Sequence, residues 1–369
     1  MRHKNPPVAY RGEILGIDMT CTLYFHIIAT SMQAVKKAVQ TGEAMTTYII
    51  TGATGYIGSA LIKFILEAGQ AGGENTPFRI IALVRDRQKA SVMLPEGVEL
   101  VQTDLCDRRC AEQMLEVGRE VDYVIHCASI TKSAEMIAHP VEVTESIVNT
   151  TQNILEFARR ASVKSMVYLS SMEVYGNIDC RNGQRVKEEE VCRGELEVLN
   201  VRSCYPLGKR MAENICFSYY KEYGVPVKIA RLAQTFGHGI LPEDNRVFAQ
   251  FARAVQNGED IVLYTNGGSI GNYCDIGDSV RGIMTILKKG TDGEAYNIVN
   301  EKNTMTIQQM AELVAEQVAN GKIKVKYEIS DDNSRGYASD TGLQMSGQKL
   351  EDLGWKPQKL LCDMYRNMI

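Results

Sequence analysis

The sequence is poor in the patterns that announce a metal-bound, secreted or membrane-spanning protein. Ten cysteines are present, yet no CxxC pair occurs and the five histidines do not cluster beside them. Zinc sites need closely converging ligands, usually announced by paired spacings, so no metal site is expected. Unpaired thiols suit a reducing compartment, and a cytoplasmic location is the expectation. The uncharged stretch from Met19 to Val35 is short for a membrane span and is interrupted by Thr20, Thr22, His26, Thr30, Ser31 and Gln33. Arg2 and Lys4 lead into Pro6-Pro7 and the charged Arg11, Glu13 and Asp18, which is not the layout of a secretory signal. Neither feature points to a membrane. Basic charge is not in excess either: 41 Lys and Arg stand against 45 Asp and Glu, a net charge of −4. No nucleic-acid partner is expected, because binders of the phosphate backbone carry a basic face.

What remains is an ordinary globular composition, 44% hydrophobic and 23% charged over 369 residues. That length suggests roughly two domains, with a core that needs no disulfide or structural metal. Residues 1–45 stand apart from the rest. They read either as an amphipathic helix laid on the main body or as the result of a start codon placed too early, since Met45 directly precedes the first convincing strand. From Thr46 the pattern is regular. Short apolar runs at Thr47–Thr51, Arg79–Val84, Val98–Val101, Val121–Cys127, Ser165–Ser170 and Pro226–Leu232 read as strands. Helical segments lie among them, notably Ile57–Ala68 and Val143–Ala161. Such alternation indicates an α/β fold: a doubly wound parallel sheet covered on both faces. The cofactor-binding part is expected over 46–235. A smaller, interleaved C-terminal lobe is expected over 236–369, with helices at Arg246–Gln256, Gly277–Leu287 and Thr306–Val318. The polar segment Asp179–Gly194 reads as a surface loop between the lobes.

The chemistry begins at TGATGYIG, residues 51–58, which follows a strand and opens a helix. Gly52 permits the tight turn, Gly55 lets backbone approach a pyrophosphate, and Gly58 allows close helix–strand packing. With Thr54, Tyr56 and Ile57 they form a turn whose free N–H groups and helix dipole favour an anion. A dinucleotide, NAD or NADP, is the expected cofactor. Arg85, just past the second strand, suits the 2′-phosphate of NADP, whereas Asp86 beside it suits the 2′-hydroxyl of NAD; both stay open. Asp104, followed by Leu105, can accept from an adenine amino group. Cys127, Ala128 and Ser129 end the next strand, where small side chains let a cofactor lie against the sheet. Tyr205 and Lys209, four apart at the start of a helix, share a face, and a nearby ammonium lowers a phenol pKa toward working pH. Ser170 and Ser171 end a strand, where a hydroxyl can hold a reacting oxygen.

Together these residues resemble the extended short-chain dehydrogenase/reductase family, in its sugar-nucleotide epimerase/dehydratase branch. The resemblance covers about Thr46 to Pro357. It rests on TGATGYIG (51–58), TDLCD (103–107), VIHCAS (124–129), YLSSMEVYG (168–176), YPLGK (205–209), GEAYNI (293–298) and LGWKP (353–357). It implies that Ser171, Tyr205 and Lys209 form the catalytic triad, with Lys209 also holding the nicotinamide ribose. It further implies a nucleotide-sugar substrate, a transient 4-keto sugar and a homodimer built from the helices at Val143–Ala161 and Tyr205–Tyr223. Members invert, dehydrate, decarboxylate or reduce the sugar. The expectation is a 4-epimerase; a 4,6-dehydratase or keto-sugar reductase is the alternative, ahead of a non-catalytic NAD(P)-binding regulatory protein. Glu173 matches the carboxylate that dehydratases and decarboxylases use near C5, but Met172 replaces the acid with which one group of dehydratases protonates the leaving hydroxyl. Gly268–Asp278 lacks the arginine that relatives use for the diphosphate, which leaves Arg231 and Arg246 as candidates. Gln234 stands where relatives often have an asparagine facing the sugar, and Ile147 replaces a common structural asparagine.

Overall fold

The apolar runs of the sequence become strands, and in the central ones the side chains alternate between two buried faces. In β1 (Thr46–Thr51), Tyr48 and Ile50 enter one core while Ile49 enters the other. The computed structural model describes residues 45–70, 77–117, 120–180, 182–191, 193–241, 243–329 and 341–369. The expectations for the leading segment concern residues outside these. After β1 come β2 (Phe78–Val84), β3 (Glu99–Gln102), β4 (Tyr123–His126), β5 (Ser165–Ser171), β6 (Val227–Leu232) and β7 (Ala295–Ile298). All pair in parallel, in the spatial order β3-β2-β1-β4-β5-β6-β7. The order reverses between β1 and β4, which opens a crevice at the carboxyl ends of the strands.

Helices α1 (Tyr56–Gln70), α2 (Pro140–Ala161) and α3 (Cys204–Tyr223) cover the sheet, and α3 stops at Gly224 in the left-handed conformation. The α2 and α3 side is filled by Ile147, Ile154, Phe157, Ala212 and Cys216, and the opposite side by Leu61, Ile62 and Ile65 of α1. Full burial of a side chain such as Leu61 stabilises by about 1.5–3 kcal/mol. A third core lies beyond the sheet, where Phe236 stacks on Phe248 of α4 (Val247–Asn257) at 4.3 Å and Tyr273 and Tyr365 meet its edges.

Two expectations change here. Helix α5 (Ile276–Lys289), assigned by sequence to the second lobe, covers the central sheet: Val280, Ile283 and Ile286 enter the same core as α1. Its Asp278 carboxylate accepts the Gln358 and Lys359 amides at 2.9 Å, and its carbonyl takes the Trp355 indole N–H at 3.0 Å. The LGWKP segment thus returns to the first lobe. The segment at 179–194 is also more than a surface loop. Val186 and Glu188 are buried, and the Arg210 guanidinium of α3 donates to the carbonyls of Val174, Val191 and Gly194. No helix among the described residues is long and apolar enough to cross a membrane.

Candidate functional site

The glycine turn is built against the end of β4. Gly52 has φ +63°, and a Cβ there would lie 2.8 Å from the Ala128 nitrogen. A Cβ on Gly58 would come within 2.3 Å of the Gly52 carbonyl oxygen, so only glycine lets α1 start this close to the turn. A polar strut that sequence reasoning missed fixes the arrangement. The Thr51 hydroxyl accepts the Cys127 and Ala128 amides at 3.1 and 3.0 Å and lies 2.7 Å from Nδ1 of buried His126. With both lone pairs used, Thr51 must donate to Nδ1, which leaves a proton on Nε2. That nitrogen faces the hydroxyls of Thr150 and Thr151 at 3.3 and 3.4 Å, and these donate onward to the Ser146 and Ile147 carbonyls. His126 is therefore a neutral imidazole; burial first, then Lys209, pulls its pKa down to about 3. The signal for this strut lies in VIHCAS, where a polar ring interrupts an otherwise apolar strand end.

At the ends of β2 and β3 a cleft of about 400 Å³ is lined by Arg85, Gln102, Thr103, Asp104, Asp107 and Gln113. Asp86 accepts the Lys89 amide at 2.9 Å and so caps the helix Arg87–Met93. Asp104 accepts the Cys106 amide at 2.9 Å, and the carbonyl of buried Leu105 takes the Asn153 side chain at 2.8 Å. Thr54, Gly55 and Ile57 lie in the turn and the first residues of α1, with Gly55 the exposed one. Tyr56 reaches across to the second lobe and donates to the His238 carbonyl at 3.1 Å.

Ser171, Tyr205 and Lys209 converge at the end of β5. Ser171 accepts the Glu173 amide at 3.2 Å and caps the short helix Met172–Tyr175. Lys209 is buried, donates to the Leu169 carbonyl at 2.8 Å and sits 5.8 Å from the Tyr205 ring centre. The expected lowering of the tyrosine pKa is not what these groups produce. Burial pushes the Tyr205 phenol up, the negative charge of Glu173 adds to this, and Ser171, within hydrogen-bonding reach, works the other way. Burial also draws the Lys209 ammonium down to about 8, against the pull of Glu213. Desolvation is the largest influence on both groups. Glu173 is half-buried; burial raises its carboxyl pKa while Arg202, 3.8 Å away, opposes the rise.

The two arginines expected at the substrate part ways. Arg231 is 4% exposed and grips both Glu213 oxygens at 2.9 and 2.7 Å, while also donating to the Tyr175 hydroxyl and the Glu188 carbonyl. Four of its five N–H donors are thus engaged inside the protein, which corrects the expectation that it holds a substrate diphosphate. Arg246 is exposed at the start of α4, paired with Asp244 and stacked over Phe248 at 4.7 Å. Its charge favours the anions of Tyr205 and Tyr56, so it lies at the crevice. Gln234 is half-buried on the strand Gln234–Phe236 and donates its backbone amide to the Asn272 carbonyl at 2.9 Å.

These groups fit a dinucleotide. Gly52 and Gly58 let the turn close tightly on its own backbone, exposed Gly55 leaves its outer side open, and Ser129 presents a buried hydroxyl oxygen with no partner beside it. Comparison with known proteins agrees. Residues 48–299 match the model of the NAD dependent epimerase/dehydratase family. UDP-glucuronic acid decarboxylase 5 of Arabidopsis thaliana is 28% identical over 311 residues, 84% of each chain. The dTDP-glucose 4,6-dehydratase of Streptomyces venezuelae, solved with NAD bound, superposes with a TM-score of 0.69 at 25% identity, covering 87% of this chain and 95% of that one. The UDP-glucose 4-epimerase of Thermotoga maritima shares the fold, with a TM-score of 0.73 at 20% identity over 88% and 97% of the two chains. With a glycine cradle at the switch point of a doubly wound sheet, and a match that spans most of the cofactor lobe and part of the second, the chain belongs to the NAD dependent epimerase/dehydratase family.

Proposed function

We propose that the protein oxidises a nucleotide-bound sugar at C4, using NAD or NADP, and then acts on the resulting 4-keto sugar at C5. The observation that carries the reading is the meeting of Ser171, Tyr205 and Lys209 at the carboxyl end of β5, with the Glu173 carboxyl acting on the same phenol. The turn at 52–58 would hold the pyrophosphate, the Arg85–Asp104 cleft the adenosine end, and Lys209 the nicotinamide ribose. When bound, the nicotinamide supplies a hydride acceptor for C4. Tyr205 takes the proton from the sugar hydroxyl, and Ser171 orients that oxygen. A neighbouring carbonyl makes the bonds at C5 labile, and Glu173 stands ready to exchange a proton there.

That carboxyl favours a lyase over the 4-epimerase expected from sequence, since epimerisation at C4 needs rotation of the keto sugar and no second acid. The dehydratase and decarboxylase names among the relatives support the same choice. Met172 offers no proton to a leaving hydroxyl, which favours loss of a C5 carboxylate as carbon dioxide over loss of water. The bond electrons pass into the 4-keto enolate, C5 takes a proton, and C4 would take its hydride back from the reduced cofactor. Tyr205→Phe is expected to reduce turnover of an identified nucleotide sugar by about 10²–10⁴-fold. Full turnover in that variant would overturn the assignment.

A further inference from the structure

We infer that Glu213 is a positioning residue of this site, holding Lys209 and the end of β5 in register through its buried pairing with Arg231. The inference rests on the reading of Lys209 as the lysine of the site. Glu213 follows Lys209 by one turn on α3, as Lys209 follows Tyr205, so the three share a face. Its carboxylate reaches two strands at once. It takes both Arg231 contacts from β6, and it accepts the Ser170 hydroxyl at 2.6 Å from the residue next to Ser171 on β5. Arg231 passes the connection to the Tyr175 hydroxyl, which donates to Asn297 of β7 at 2.8 Å, and the Asn297 amide donates to buried Glu188 at 2.7 Å. One network thus ties the lysine-bearing helix to three strands and to the segment behind the site.

A buried ion pair is expensive to desolvate, and replacing one by packed apolar side chains is often neutral or stabilising, so its presence beside a catalytic lysine asks for a role. The surroundings of Lys209 supply one. On α3 it faces Tyr205 and Cys216, from β5 Tyr168, and from the end of β4 His126 and Cys127. Burial keeps all of these neutral near neutral pH, pushing the phenols and thiols up and the imidazole down. Of the groups that favour the protonated ammonium, Glu213 acts most strongly, ahead of Cys127 and Cys216. Arg231 fixes where that charge sits.

The test uses the full chain with its lysines carrying an NMR-active carbon at Cε, titrated with pH. The Lys209 resonance is assigned by its disappearance in Lys209→Met. Glu213→Gln is expected to lower the Lys209 midpoint by about one pH unit, and Glu213→Asp to bring it back toward the native value. Because Glu213→Gln strands Arg231 in the interior, the double variant Glu213→Gln/Arg231→Met serves if the single one does not fold. A smaller fall in the same direction is expected there, because the Arg231 charge, which disfavours a second cation nearby, is removed together with the carboxylate. An unmoved or raised midpoint in whichever variant folds overturns the inference. No substrate enters the measurement, so a negative result leaves the C4-oxidation reading standing, and failure of that reading leaves the titration interpretable.

Discussion

At the scale of single residues, the site is governed by desolvation more than by pairing. Tyr205, Lys209, Glu173 and His126 are all pushed toward their neutral forms by burial. For His126 this has a measurable consequence. Its folded pKa of about 3 lies below the ordinary value of 6.5. Between those values the unfolded chain holds a proton that the folded chain does not, so stability rises with pH across the window and is lost on acidification. The His126 contribution amounts to about 1.4 kcal/mol per pH unit. Denaturant titrations at about pH 6 and about pH 4 should show that loss, and His126→Gln should remove it from the difference. Equal slopes in the two proteins would show that the imidazole is charged or exposed, contrary to the Thr51–His126–Thr150 strut. Raised carboxyl groups such as Glu173 and Glu188 act in the opposite direction in this range, so the His126 share has to be isolated by the variant.

At the scale of elements, the turn at 52–58 and helix α3 place the residues of the proposed site. Gly58→Ala would drive a methyl to 2.3 Å from a backbone oxygen that cannot retreat without moving β1. Overpacking of that kind costs about 1–3 kcal/mol, and dinucleotide affinity, read by fluorescence titration with NADH or NADPH, should fall with it. Retained affinity and stability would mean that α1 does not need its close start. This turn is legible from sequence because the strand, three glycines and helix are consecutive. The Tyr205–Lys209 spacing is legible for the same reason: a single helix carries both. Partnerships across the fold are not legible in this way. Arg231 reads as a free cation until β6 is set beside α3, and only then is its carboxylate found one turn beyond Lys209. That Asp86, one of the two residues open as ribose partner, also caps a short helix is seen only in the folded chain. Helix α5 has the pattern of any surface helix, and nothing local says which core its apolar face will join.

At the scale of the whole molecule, the sheet with α1, α2, α3 and α5 provides a floor, and the aromatic core around Phe236 and Phe248 carries Arg246 to the crevice. Tyr56 joins the two through the His238 carbonyl. On α3 Met211 and Phe217 are exposed at 53% and 44%. We propose that a second copy covers them, as the family resemblance implies. Sedimentation should then give a dimer, and Phe217→Glu should shift it toward monomer; a native monomer would contradict this. The fate of the 4-keto sugar separates a lyase from an epimerase. It is read most directly by turning over a panel of nucleotide sugars, uronic acids included, in deuterium oxide and locating the label in the product. One deuterium at C5 that depends on Glu173 is the predicted result. A product inverted at C4 with no solvent label at C5 would contradict the account and return the protein to the epimerases.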